Sequence, residues 1–170
     1  MKKILIILLV SLCSIGNMAY AGSDFEAFIA NKGSAVNVRS KPDGDVVKKI
    51  YNSRSNCYVL TLTDARNGWW RIKWILDQGE DTDVTLSGSP TGQYWIHSSV
   101  VGTATSNYGN QRWCLRDTPS KKGKAVYWFN KEIIVHPIQV KGGWVKVEYN
   151  GKTGWIEIEK LCSNTITNCS

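Results

Sequence analysis

The sequence predicts an all-β protein built from two small β-barrels in tandem. Three observations support this fold class: apolar and polar residues alternate within short runs, Gly and Pro separate the runs, and the same landmarks occur twice in the same order. Val145, Val147 and Tyr149, for example, alternate with Lys146 and Glu148. Alternation with period two places the apolar side chains on one face, as in a half-buried strand. Short strands between closely spaced turns are typical of a sandwich or a barrel.

The repeat consists of three pairs of similar segments. The first pair is offset by 77 residues, the second by 75 and the third by 60. A self-similar order of this kind indicates two copies of one structural unit. The paired segments are 35–42 with 111–119, 68–72 with 143–147, and 94–96 with 154–156.

The falling offset locates a difference between the copies. Copy one carries an insertion at 75–93, whereas copy two makes the same connection through Asn150-Gly151-Lys152-Thr153, a strong signal for a tight hairpin. The insertion is acidic, and its spacing does not match a calcium-binding loop, so we expect a solvated hairpin and no metal site. Its acidic residues are Asp77, Glu80, Asp81 and Asp83.

The repeated landmarks resemble the bacterial SH3 family. That family opens with a strand reading Leu-Asn-Val-Arg before a turn with Pro, continues with a Gly-Trp-aromatic strand, and closes with Gly-Trp-Val and a one-turn helix. In this chain Asn37 to Pro42 resembles the opening, and Gly68 to Ile72 resembles the middle strand. The closing motif is matched by Gly154 to Leu161, and in copy one Tyr94 replaces its Gly.

This resemblance implies two SH3-like barrels with short helical turns. The first barrel is expected at 34–102, the second at 111–162, and 103–110 is the expected linker. Such domains bind peptides, often those of the cell wall. The implied partners are therefore a peptidoglycan peptide or another exported protein.

Export is predicted from residues 1–21, which combine a basic start, a short apolar run and an Ala-Tyr-Ala ending. We expect this signal peptide to be removed, which leaves the protein in the periplasm or at the cell surface. An N-terminal segment at 22–33, with a short helix over 24–30, and a tail at 163–170 would flank the barrels. The apolar run is too short to span a membrane.

After signal removal the chain has 19 Lys and Arg against 14 Asp and Glu. This excess is spread along the chain without a dense basic stripe, so nucleic acid is not an expected partner. Four cysteines would remain, and an even number in an exported protein predicts two disulfides. Four cysteines allow three connectivities; the close termini of SH3-like barrels imply Cys114–Cys162, which leaves Cys57–Cys169.

No catalytic residue is expected. A thiol pair of Cys57 with His97 or His136 is conceivable, but a Cys/His peptidase needs a separate fold for which no length remains. No cofactor or metal is implied, and we expect a binding protein rather than an enzyme. Alternatives are an inhibitor or accessory subunit of a cell-wall hydrolase, or a structural spacer.

The chain has eight Trp, which suggest an aromatic groove for a peptide or glycan with arginines at its edge. The candidate ligand-binding residues are Arg39, Trp69, Trp95, Arg116, Trp144 and Trp155.

Overall fold

The computed structural model describes residues 24–31, 33–53, 57–109 and 111–163. The predicted signal peptide, Cys169 and nearly all of the predicted tail lie outside these residues. Fourteen strands and two one-turn 3₁₀ segments, Ser98–Val100 and Ile158–Lys160, make up the described structure, which confirms the all-β prediction. The strands are β1 (Phe25–Ile29), β2 (Ala35–Arg39), β3 (Val46–Tyr51), β4 (Tyr58–Arg66), β5 (Trp69–Asp77), β6 (Thr82–Asp83), β7 (Tyr94–His97), β8 (Val101–Thr105), β9 (Trp113–Arg116), β10 (Ala125–Phe129), β11 (Ile134–Lys141), β12 (Trp144–Tyr149), β13 (Lys152–Glu157) and β14 (Leu161–Cys162).

All these strands join one antiparallel sheet, which hydrogen bonds do not close into a ring. The order is β10-β9-β13-β12-β11-β8-β1-β4-β5-β7-β2-β3, with β14 paired to β8 and β6 paired to β5. The strand order therefore repeats: β11-β12-β13-β9-β10 on one side corresponds to β4-β5-β7-β2-β3 on the other. We call β1 to β8 unit 1 and β8 to β14 unit 2.

Strand β8 belongs to both units. It ends unit 1 by pairing with β1, and it begins unit 2 by pairing with β11 and β14. All five of its residues are buried. The expected linker at 103–110 therefore begins inside a buried strand, where the hydroxyl of Thr103 donates to the carbonyl oxygen of Cys162 at 3.0 Å.

The two units also share two irregularities. An extra residue interrupts the pairing of β2 with β3 in unit 1, where it is Val47, and of β9 with β10 in unit 2, where it is Val126. A second extra residue interrupts the pairing of the two long strands of each unit: Thr63 between β4 and β5 in unit 1, and Ile138 between β11 and β12 in unit 2. Bulges bend a strand and increase its twist. These two bulges therefore interrupt equivalent strands in both units, although unit 1 has a further irregularity at Lys73 of β5.

The expected short helix over 24–30 is wrong, because this segment forms strand β1. Phe25, Ala27, Phe28 and Ile29 are buried, and β1 pairs with β4 and β8. The sheet supplies backbone partners on both sides of β1, and this tertiary pairing outweighs a weak local helix signal.

One apolar core runs through both units. Its buried residues come from β1 to β5 and from β7 to β13, together with Ile133, which precedes β11. Trp70 of unit 1 is fully buried, and its indole N–H donates to the carbonyl oxygen of Pro137 in unit 2 at 2.8 Å. The units are thus joined by a shared strand and by a buried hydrogen bond.

Candidate functional site

The predicted arginines hold turns in both units. The Nη1 of Arg39 donates to the carbonyl oxygen of Gly44 at 2.6 Å, and that of Arg116 donates to the carbonyl oxygen of Gly123 at 2.7 Å. Each arginine also lies opposite a Trp of the neighbouring strand, Trp95 or Trp155. A guanidinium bonded to a backbone carbonyl fixes the turn that follows its own strand.

Three of the four predicted Trp are buried. Trp69 and Trp155 are each 7% exposed, and Trp95 is 2% exposed. The guanidinium of Arg39 lies 5.8 Å from the centre of the Trp69 ring, and that of Arg66 lies 5.6 Å from Trp95. Cations therefore cover these rings in unit 1, where an open aromatic groove was expected.

Trp144 is half-buried and lines a groove of about 180 Å³ in unit 2. Trp113 and Trp128 line it as well, together with Arg112 and Glu157. Trp128 is half exposed, at 50%, although it is a large aromatic residue. Three Trp around one small open groove provide flat apolar surfaces with polar edges, which suits the binding of a peptide side chain.

Trp128 was missed from the sequence because it lies outside the repeated motifs, and Trp113 was missed because its counterpart in copy one, Val36, is not aromatic. Strand β10 reads Ala-Val-Tyr-Trp-Phe, whereas the equivalent β3 carries Lys48 and Lys49 at the Tyr-Trp positions. Both residues could have been found by comparing the two copies at the positions where they differ, rather than where they agree.

The cations of the groove stack on its rings. The guanidinium of Arg112 lies 4.5 Å from the centre of the Trp128 ring, and the ammonium of Lys160 lies 5.6 Å from that of Trp113. Such contacts stabilise a cation over an aromatic face. They also hold the two rings in place beside the groove.

Glu157 is the acidic residue of the groove and is buried. It forms ion pairs with Lys160 and, at 3.4 Å, with Lys121. The hydrogen bond from Lys160 lowers the pKa of Glu157 below its usual 4.5; burial opposes this effect, and the charges of both lysines add to it. The carboxylate is thus ionised and already paired, which leaves the groove with a positive rim.

Unit 1 has different residues at the equivalent positions. Ala35, Val36 and Lys49 correspond to Arg112, Trp113 and Trp128 by strand register. Trp69, the equivalent of Trp144, is buried. The wall of three Trp is therefore a feature of unit 2.

Both histidines are bound to oxygen atoms. His97 Nδ1 lies 2.7 Å from Ser99 Oγ, and its ring meets Trp69 edge-on at a centroid distance of 5.0 Å. His136 Nδ1 lies 2.8 Å from the carbonyl oxygen of Val101. These contacts account for both rings as parts of the sheet framework.

The predicted disulfide pairing is wrong. Cys57 and Cys114 are free thiols, so neither Cys114–Cys162 nor Cys57–Cys169 forms. Cys162 is disulfide-bonded, and neither Cys57 nor Cys114 is its partner. The proximity of chain ends in such barrels was the basis of the prediction, but in this fold Cys162 pairs in register with Ala104 of β8, the strand shared with unit 1.

Two features are absent from the described part of the chain. There, no cluster of three or more His, Cys, Asp or Glu is arranged to hold a metal ion. Over the same residues, no helix has the length and apolar character needed to cross a membrane.

One family model matches part of unit 2. Residues 109–162, which contain β9 to β14, match the family model of the bacterial SH3 domain. No match was found among curated proteins. Two solved structures from Trichomonas vaginalis are similar: NlpC2, at 15% identity over 82% of this chain and 48% of its own, and NlpC1, at 16% over 82% and 46%, both with a TM-score of 0.31. The chain spans about half the length of these two proteins.

Proposed function

We propose that this protein is an exported, non-catalytic binding protein made of two bacterial SH3 units, and that unit 2 binds a peptide carrying carboxylate groups. Peptidoglycan peptides and other exported proteins are the partners that the bacterial SH3 match suggests. The repeated strand order and the paired bulges support the assignment of unit 1 to the same family. The observation that carries the proposal is the groove formed by Trp113, Trp128 and Trp144.

The charge around the groove favours an acidic ligand. Arg112 and Lys160 present cations at its rim, and the carboxylate of Glu157 is already paired with lysines. A peptide carboxylate can pair with the guanidinium of Arg112 while a neighbouring side chain contacts the Trp faces. Charge-assisted bonds to Arg are stronger than neutral ones and fix the orientation of a ligand.

The absence of catalysis is an inference from the chemical groups present. The two histidines contact backbone or hydroxyl oxygens, and Cys114 lines the groove beside Trp128 rather than beside a histidine. A thiol nucleophile needs an adjacent base. These contacts favour binding over hydrolysis.

Binding to purified peptidoglycan and to soluble muropeptides tests the proposal. We expect the protein to co-sediment with peptidoglycan and to release no soluble fragments in a zymogram. Trp128→Lys, which installs the residue of unit 1, should weaken muropeptide binding about tenfold or more, since a half-exposed Trp at a binding surface contributes at least 1.4 kcal/mol when it is an anchor.

Tyr51→Ala is the matched control, because Tyr51 is also an exposed aromatic residue but lies on β3 of unit 1. Its muropeptide affinity should equal that of the unchanged protein. Equal binding by Trp128→Lys, or a clearing band in the zymogram, would overturn the proposal.

A structural spacer is the second candidate function. The buried strand β8 and the hydrogen bond from Trp70 to Pro137 join the two units within one core. This arrangement suits a rigid connector between two partners. A spacer would keep its cellular role when Trp128 is replaced by Lys, whereas a peptide-binding protein would lose it.

A further inference from the structure

A second groove lies in unit 1, beneath the insertion at 75–93. Its volume is about 680 Å³, within the range of small-ligand sites. Along one edge of β5, residues 69–72 pair with β7 and residues 76–77 pair with β6. The groove lies along β5 between the segments that pair with β7 and with β6.

The insertion forms a fixed wall of this groove. The amide of Val84 donates to the carbonyl oxygen of Ile75 at 2.9 Å, and Lys48 Nζ donates to the carbonyl oxygen of Thr85 at 2.9 Å. Val84 and Leu86 are half-buried and pack against the core. The segment expected to be a solvated acidic hairpin is therefore tied to the sheet, although Glu80, Asp81 and Asp83 remain exposed.

The groove combines an aromatic platform with many polar groups. Trp74 is 37% exposed, and Tyr94 borders the groove beside it. The Nε of Arg71 donates to Thr63 Oγ1 at 3.0 Å. This bond fixes the plane of the guanidinium group and therefore the direction of its two terminal amino groups. Gln93 adds an exposed amide to the same lining.

The charges in this groove nearly cancel. Arg71 and Lys73 are opposed by Asp83, and Lys73 is also paired with Asp24 at 2.5 Å. An ionic ligand gains little from such a rim. A peptide strand gains little as well, because β7 and β6 already occupy most of this edge of β5.

We propose that this groove binds an uncharged oligosaccharide, with one sugar ring on the face of Trp74. A sugar ring presents an apolar C–H face to an indole and hydroxyl groups at its rim. The hydroxyl groups can bond the terminal amino groups of Arg71 and the amide of Gln93. This site is separate from the groove of unit 2 and does not depend on the proposed peptide binding.

Calorimetric titration of the purified protein with the tetrasaccharides of N-acetylglucosamine, glucose (β-1,4) and glucose (α-1,4) tests the proposal. We expect one of these probes to bind, and Trp74→Ala to weaken that binding about tenfold or more. Gln93→Ala should weaken it severalfold without affecting folding, because Gln93 is exposed.

Trp128→Ala is the matched control and should bind the saccharide as the unchanged protein does. The outcomes that overturn the proposal are no heat from any of the three probes at millimolar concentration, unchanged binding by Trp74→Ala, or displacement of the saccharide by a glutamate-containing tetrapeptide at this groove. Loss of muropeptide binding in Trp128→Ala with saccharide binding intact would separate the two sites.

Discussion

Val36 and Lys49 of unit 1 occupy the positions that Trp113 and Trp128 occupy in unit 2. The strands that carry them have the same order, the same bulge and the same partner strands. The shared bulges and strand partners keep the framework constant, while an exposed position (Lys49 against Trp128) and a buried one (Val36 against the half-buried Trp113) differ. The comparison shows that one strand framework can carry different side chains, and that the groove of unit 2 depends on these substituted positions.

The terminal strands of the sheet show this difference most clearly. Strand β3 carries Lys48 and Lys49, whose charges discourage pairing with another strand, whereas β10 has no charged residue. Arg112 instead stacks on Trp128 and so covers part of the exposed edge. One terminal strand is protected by its own charges, and the other exposes the apolar side chains of Val126 and Trp128.

A second difference concerns Gly154 and Tyr94, which occupy equivalent positions. A Cβ at Gly154 would lie 2.7 Å from Leu115 Cβ and 2.8 Å from Val126 Cγ2. The closing strand of unit 2 thus packs tightly beneath β9 and β10. In unit 1 the larger Tyr94 stands in place of this Gly and borders the groove beneath the insertion at 75–93, here called the insertion groove. The replacement of the motif's Gly therefore occurs in the unit that carries the insertion.

The largest effect is expected at the junction of the units. Trp70→Ala should lower the free energy of unfolding by about 3–5 kcal/mol, because it opens a cavity and leaves the Pro137 carbonyl without its donor. The equivalent Val145→Ala removes less volume and should cost about 2 kcal/mol. Urea denaturation followed by far-UV circular dichroism measures both; an equal cost at the two positions would contradict the role assigned to Trp70.

A smaller effect is expected where the closing strands differ. Gly154→Ala should destabilise the protein by about 1–3 kcal/mol, since the added methyl group meets the buried Leu115, the exposed Val126 and a backbone oxygen. Tyr94→Ala, at the half-buried equivalent position, should cost about 1 kcal/mol and enlarge the insertion groove. Thermal denaturation compares the two variants, and a Gly154→Ala protein as stable as the parent would show that unit 2 is packed more loosely than the structure indicates.

The smallest effect depends on pH. Because the folded state lowers the pKa of Glu157, ionised Glu157 stabilises the fold above its usual pKa of 4.5, and this contribution disappears as the pH falls through the lowered value. Glu157→Gln should therefore cost about 1 kcal/mol at pH 7 and progressively less below pH 4.5. The exposed Glu159→Gln serves as the control; stability measured from pH 7 to pH 3 should show no such trend for it.

Several features were predictable from local sequence. Alternation along Trp144–Tyr149, the Asn150-Gly151 pair and the Gly-Trp landmarks correctly indicated strands, a hairpin and the position of the later family match. Asn150 and Gly151 both adopt positive φ, as a two-residue hairpin of this kind requires. These signals are local, because backbone geometry and period-two burial leave their trace in neighbouring residues.

The site was only partly predictable. Trp144 lies in the groove of unit 2, but Trp69, Trp95 and Trp155 are covered, and Trp128 was not foreseen. Exposure of a Trp depends on which strand or cation packs over its ring, and those neighbours come from distant parts of the chain. A motif can place a Trp on a strand, but it does not tell which of the two faces is open.

By itself, the sequence determined the β-strand content, the internal repeat and the location of the insertion, because each depends on residue types at short spacing. The tertiary structure alone decided that 24–30 is a strand rather than a helix, that β8 serves both units, that Cys57 and Cys114 are free, and that the insertion covers a groove. Each of these depends on strand pairing between residues far apart in the chain. The energy of such pairing comes from burial and shared hydrogen bonds, which no single segment can form alone.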